Sequence, residues 1–292
     1  MAHRLAVVTV VATLVLILFG GLVTNTGAAL AVPDWPTTFG HNMFLYPWSQ
    51  MVGGIFYEHS HRLLGAVVGL LTLALAASLW RAGGLLRGLG LLAVATVCVQ
   101  GLLGGLRVVL LKDTLAIVHG CLAQAFFALI VTLAFLTSPW ARRTVRGIDP
   151  TARALAIGAA VLVYLQIVLG ALLTHAGGIE LHVAGAVAVF ALVPIVAARL
   201  RRSGDPVAVP LSRTLLVLLG GQLLLGVGSY LSRFSALWIP GAPVTVLVLP
   251  VTHRLVGASI LAVTVVLAVR TAYVMGAPAT SAPRRLAAGS SG

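Results

Sequence analysis

The chain has 292 residues, 60% of them hydrophobic and only 9% charged, with a formal net charge of +13. Its apolar runs reach the roughly 20 residues that span a bilayer, which excludes an ordinary soluble domain. The basic excess sits in short loops between those runs, where it signals topology, so nucleic acid is excluded as a partner.

Eight spans are expected, at 5–25, 58–80, 87–108, 115–137, 153–174, 181–199, 213–232 and 249–271. A membrane-crossing backbone must satisfy its own hydrogen bonds, and nothing here alternates like a barrel strand, so all eight are predicted helices. The fold class is all-α: a polytopic membrane protein built as two pseudo-symmetric four-helix bundles, residues 1–140 and 141–292.

The first span follows Met1-Ala-His-Arg4 and precedes Ala29-Leu30-Ala31, which together mimic a secretory signal with a cleavage site. The apolar run is too long for a typical signal core, and cleavage would leave seven helices, so the span is retained. Loop 26–57 carries Pro33, Asp34, Trp35, Pro36, Phe39, Tyr46, Pro47 and Trp48, a composition suited to an ordered cap or to an aromatic anchor at the interface.

Arg4, Arg81, Arg87, Arg142, Arg143, Arg146, Arg153, Arg199, Arg201, Arg202, Arg213, Arg270, Arg284 and Arg285 fall on one side of this scheme, against Arg107, Lys112 and Arg233 on the other. The positive-inside rule puts both termini in the cytoplasm and the 26–57 loop outside, and the expected location is the plasma membrane. The tail from Ala277 reads as a disordered end. Cys98 and Cys121 lie within apolar runs and read as small buried hydrophobes, not as a metal site or a disulfide.

The second span opens on Glu58-His-Ser-His-Arg62, a costly cluster at a membrane boundary. His61, His119, His182 and His253 stand near the starts of the second, fourth, sixth and eighth spans, hence at one depth in the outer leaflet. In an up-down bundle the second and fourth helices are diagonal, as are the sixth and eighth, so each histidine pair faces across its own half. Histidine is a standard axial ligand of haem, and the reading is two bis-histidine haem sites. Interhelical hydrogen bonding, a non-haem metal or a proton relay are the competing explanations. Glu58 shares a helical face with His61, whereas Ala116, Ile179 and Pro250 hold the corresponding positions elsewhere. Chemistry is therefore expected in the first half and a resident haem in the second. The competing reading of Glu58 is a carboxylate favoured by the helix dipole. Arg62 and Arg254, each following a histidine, either hold haem propionates or snorkel to lipid phosphates. His3, His41, His59 and His175 are weaker candidates, His59 lying about 160° round the helix from His61.

Gln100-Gly-Leu-Leu-Gly104, Gln166-Ile-Val-Leu-Gly170 and Gln222-Leu-Leu-Leu-Gly226 repeat a QxxxG pattern, and His61-Arg-Leu-Leu-Gly-Ala66 is echoed by His253-Arg-Leu-Val-Gly-Ala258. The chain reads as a duplication into parallel repeats. A tandem copy pairs the second helix with the sixth, yet the closest local likeness pairs the second with the eighth.

With Asn25-Thr-Gly-Ala28, Pro33-Asp-Trp-Pro36, Val118-His-Gly120, Leu181-His182 and Thr252-His-Arg-Leu-Val-Gly257, these motifs make the chain resemble the haem A synthase family over nearly its full length. The resemblance implies an oxidoreductase that converts the C8 methyl of haem O to the formyl group of haem A for terminal oxidases, with water as oxygen source. It implies that His61 and His119 flank the substrate haem, that Glu58 assists the oxidation, and that His182 and His253 ligate a haem b. It also implies a haem O synthase (protohaem farnesyltransferase) and an electron acceptor such as quinone as partners, with homo-oligomerisation open. Members with a cysteine pair in the first outer loop have no counterpart here, because residues 26–57 contain no Cys. The alternatives are a quinol-linked dihaem cytochrome b and a haem transporter or chaperone.

Overall fold

The computed structural model describes residues 1–235 and 241–272. The tail from Ala277, with Arg284 and Arg285, lies outside the described residues. Among the described residues, eight helices are long and apolar enough to cross a membrane. They are α1 (Ala2–Asn25), α2 (Gly54–Leu79), α3 (Gly84–Leu110), α4 (Asp113–Leu136), α5 (Pro150–Ala176), α6 (Ile179–Arg202), α7 (Ala208–Phe234) and α8 (Ala242–Ala272). The chain is an all-helical polytopic membrane protein, and each helix starts a few residues before the span expected from hydropathy.

Local chemistry sets several helix ends. Asp149 caps α5, accepting from the Ala152 amide, with Pro150 in the first turn. The turn from α5 to α6 is two residues, Gly177 and Gly178, at φ of 83° and 91°, a conformation glycine adopts without steric cost.

Helices α1 to α4 pack in a ring, α1 on α2, α2 on α3, α3 on α4 and α4 back on α1, and α5 to α8 close a second ring in the same order. The rings meet through α4 against α8, α1 against α8 and α4 against α5. Exchanging α1 with α5 and α4 with α8 reproduces that set of contacts, so the geometry pairs α2 with α6 and resolves the sequence conflict in favour of a tandem copy.

Each ring has its own apolar cluster. Val68, Leu75, Leu79, Phe126, Ile130 and Leu133 fill the first, and Val163, Val189, Leu200, Leu215, Leu261 and Leu267 belong to the second. Ile17, Phe127, Ala258 and Ala262 seal the seam between rings. The buried residues Val68, Phe126, Val189 and Ile260 lie seven residues after His61, His119, His182 and His253. Two helical turns is about 10 Å, so the packed core begins that far below the histidines.

The end carrying the N-terminus is locked by Arg270. Its guanidinium donates to both oxygens of Asp205, at 3.2 and 2.9 Å, and to the carbonyls of Arg143 and Thr144. Both residues are fully buried. Desolvation pushes the Asp205 carboxyl up, but hydrogen bonds from Arg270 and the Ala208, Val207 and Arg146 amides outweigh it and hold it below the usual carboxylate range. Cys98 faces outward on α3 and Cys121 is half-buried. The expectation of two buried cysteines therefore fails at Cys98, because the outward face of a membrane helix is as apolar as a core.

Candidate functional site: two histidine pairs beneath a loop cap

His61 on α2 and His119 on α4 face each other with ring centres 6.4 Å apart. His182 on α6 and His253 on α8 do the same at 6.3 Å. With a shared metal about 2 Å from each ligating nitrogen and each nitrogen roughly 1 Å from its ring centre, two axial imidazoles stand about 6 Å centre to centre. Among the described residues, no group of three or more His, Cys, Asp or Glu side chains is arranged to hold a bare metal ion. Paired imidazoles without further ligands suit a cofactor that brings its own equatorial nitrogens, as haem does.

Each ring sits on a glycine of the preceding helix. A Cβ added at Gly20, Gly104, Gly170 or Gly226 would lie 3.1, 3.3, 3.2 or 3.1 Å from Cε1 of His61, His119, His182 or His253 respectively. Helix pairs α1–α2, α3–α4, α5–α6 and α7–α8 are thus four copies of one hairpin in which a glycine seats an imidazole. Nδ1 of His61, His119 and His253 is buried without a hydrogen-bond partner. Among the described residues Nε2 of His61 and His119 takes no hydrogen bond, which leaves its lone pair open to a metal, whereas Gln166 Nε2 stands 3.4 Å from His182 Nε2 and Gln222 Nε2 stands 3.1 Å from His253 Nε2, contacts that a metal on those nitrogens would replace. The residues present therefore fit haem.

The glutamines of the QxxxG pattern clasp the next helix. Gln100 Nε2 donates to the His119 carbonyl at 3.1 Å, and Gln166 Nε2 to the His182 carbonyl at 2.8 Å. Gln222 Nε2 lies 3.1 Å from His253 Nε2. In α1 the equivalent position is Leu16, which has no amide.

Glu58 is buried, at 5% exposure. Its Oε1 pairs with Arg62 Nη2 at 2.9 Å and its Oε2 accepts from the Val32 amide at 3.0 Å. Arg62 also donates to the carbonyls of Val32, Asp34 and Thr37, at 2.9, 2.7 and 3.1 Å. Its bonds thus run to the loop and to Glu58. On the other face of α2, His59 is buried with Nδ1 3.1 Å from the Thr38 hydroxyl, and its ring packs on Tyr46.

Loop residues 32–38 therefore form an ordered cap gripping α2. Asp34 organises it by accepting from the Phe39 and Gly40 amides and the Thr37 hydroxyl. Burial raises the Asp34 carboxyl, and those bonds, led by Gly40, outweigh it to leave the group below its ordinary value. Trp35 presses on Gly105 of α3, where any added Cβ would collide with the indole. Beyond Asn42, Phe44, Leu45 and Trp48 are 65%, 77% and 76% exposed, so the same loop also offers an apolar edge to the interface. Both sequence readings of the loop describe part of it.

Arg254 makes no hydrogen bond or ion pair among the described residues, and its Nη1 lies near Gly21 on α1, at the seam between rings. Close by, Arg233 donates to Asn25, joining α7 to α1. His3 bonds the Ala134 carbonyl at the far end of the molecule. His41 packs edge-on to Tyr46 in the cap, and His175 is half-buried at the end of α5. Gly20 and the carbonyl partners of Arg62 were not singled out by sequence. The absence of Gln before Gly20 hides the seat, and nothing in a sequence marks a backbone acceptor.

A model of the family described as cytochrome oxidase assembly protein, COX15-CtaA, matches residues 3–179. The match contains His61 and His119 and stops three residues before His182. A heme A synthase of Shouchella clausii is 31% identical over 180 residues, covering 59% of this chain and 58% of that protein. Those of Alkalihalophilus pseudofirmus and Bacillus licheniformis are 33% and 32% identical over 132 and 137 residues, covering 43% and 45% of this chain and 43% and 44% of theirs. The chain spans about half the length of the curated relatives it matches.

Proposed function

The chain belongs to the COX15-CtaA cytochrome oxidase assembly family, and on that premise we propose that it is a haem A synthase, oxidising the C8 methyl of haem O to a formyl group. One observation carries the reading. Two imidazole pairs stand at haem-ligand separation, 6.4 and 6.3 Å, and of the four histidines only His61 has a carboxylate one helical turn away.

In this account His61 and His119 flank the substrate haem, and His182 and His253 hold a haem b, which supplies one-electron redox capacity when bound. The conversion R–CH3 + H2O → R–CHO releases four electrons and four protons. The electrons pass to an acceptor such as a quinone, and the protons leave through a base. Glu58 is the candidate base or stabiliser of positive charge developing at the methyl carbon, with Arg62 and the Val32 amide fixing its orientation. Arg254, a guanidinium with no partner among the described residues, is the candidate for a haem propionate. The chain resides in the plasma membrane with both termini cytoplasmic and the haem sites in the outer half, taking haem O from a haem O synthase.

The second reading is a dihaem electron-transfer protein. Both Glu58 oxygens are already bonded, which suits a purely structural carboxylate. Haem extraction with mass determination separates the two. Haem O, its hydroxylated derivative or haem A beside haem b supports the synthase, and haem b alone at two per chain overturns it.

A further inference from the structure

Two of the four hairpins tie the histidine helix to its partner through a glutamine amide on the histidine's own carbonyl, Gln100 to His119 and Gln166 to His182, and in a third Gln222 Nε2 reaches the His253 ring at 3.1 Å. The first hairpin has Leu16 at that position, and α1 offers α2 no side-chain amide there. Instead α2 is gripped from the cap. Arg62, the residue next to His61, gathers the carbonyls of Val32, Asp34 and Thr37, while Glu58 takes the Val32 amide and His59 the Thr38 hydroxyl.

We propose that Arg62 is the positioning residue of the His61–His119 site, seating α2 and His61 through cap segment 32–38 as glutamine amides on the backbone seat His119 and His182. The inference rests on the reading of both pairs as haem ligands. It makes the first site depend on the cap and leaves the second independent of it. Ligand geometry that relies on a loop is the geometry suited to a haem that must enter and leave. One held by interhelical amides suits a resident cofactor. Arg62 therefore acts through the cap and not through a propionate.

The test measures haem per chain and the low-spin bis-imidazole spectrum in purified full-length protein. Arg62→Ala should lose about half of the total haem, with the His182–His253 signal unchanged as an internal standard of folding. Leu16→Gln in that background should restore the lost half, because a glutamine then clasps α2 from α1. Arg62→Lys retains the charge but not the span across three carbonyls, and should release first-site haem severalfold faster than wild type. The proposal is overturned if Arg62→Ala keeps both haems with unchanged spectra, or if Leu16→Gln restores nothing, the behaviour of a direct propionate ligand. Should Arg62→Ala fail to fold, a first-site release rate for Arg62→Lys equal to wild type overturns it instead. Wild-type protein without bis-histidine haem at either pair would refute the functional reading, whatever the cap does.

Discussion

His61 and His119 approach each other from opposite sides of the first helical ring, 6.4 Å apart between ring centres and inclined at 76°. His182 and His253 repeat the relationship at 6.3 Å and 67°. Two unrelated hydrogen-bonding histidine pairs would have no reason to share separation, depth and a glycine seat. Replacing His182 or His253 by Ala should remove haem b while leaving substrate haem at the first site. Replacing His61 or His119 should have the reverse effect. Optical and redox titration of each purified variant distinguishes the two sites.

The glycine seats should tolerate no side chain without moving a ligand. A methyl group at Gly104 or Gly226 would stand 3.3 or 3.1 Å from an imidazole carbon, tighter than ordinary contact. Gly226→Ala should shift the spectrum and midpoint potential of the second haem alone, and Gly104→Ala those of the first. Overpacking of this kind costs about 1–3 kcal/mol in a packed interior, enough to displace a ring without unfolding the ring of helices.

Glu58 separates structure from chemistry when two variants are compared. Glu58→Gln keeps an acceptor for the Val32 amide and loses the charge, whereas Glu58→Ala also frees Arg62. Both variants should stop conversion of haem O, and Glu58→Ala should in addition loosen the cap at Val32, where the amide loses its acceptor. Full conversion by Glu58→Ala in membranes would remove Glu58 from the chemistry.

At the opposite end, Arg270→Met should be strongly destabilising, because it strands the buried Asp205 carboxylate. Breaking one partner of such a pair costs about 3–5 kcal/mol. The folded-state carboxyl of Asp205 lies below its unfolded value of about 3.9. Its contribution is thus fully present above pH about 4 and is lost as pH falls through the folded value. Thermal unfolding of wild type in detergent should show this loss on acidification, and Asp205→Asn should flatten it.

Much of this molecule is legible from its residues. Apolar length placed all eight helices, and four histidines at one depth on alternate helices announced two facing pairs. At α2 the polar cluster Glu58 to Arg62 reads as the boundary of the apolar span, while the helix runs through it and begins at Gly54. Other features depend on partners remote in sequence. Arg62 bonds three carbonyls up to 30 residues away, and Arg270 reaches residues 65 and 127 positions distant. The QxxxG repeat was visible, but its purpose was not, since a glycine that seats an imidazole and one that admits a neighbouring helix look alike in one dimension.

Producing the chain in a host that makes haem O but no haem A, then extracting membrane haems for mass determination, decides whether it is a synthase. Wild type should yield haem A, and His61→Ala and Glu58→Ala should leave haem O unconverted. Haem O recovered unchanged from wild-type membranes, with two haem b per purified chain, would contradict the synthase assignment.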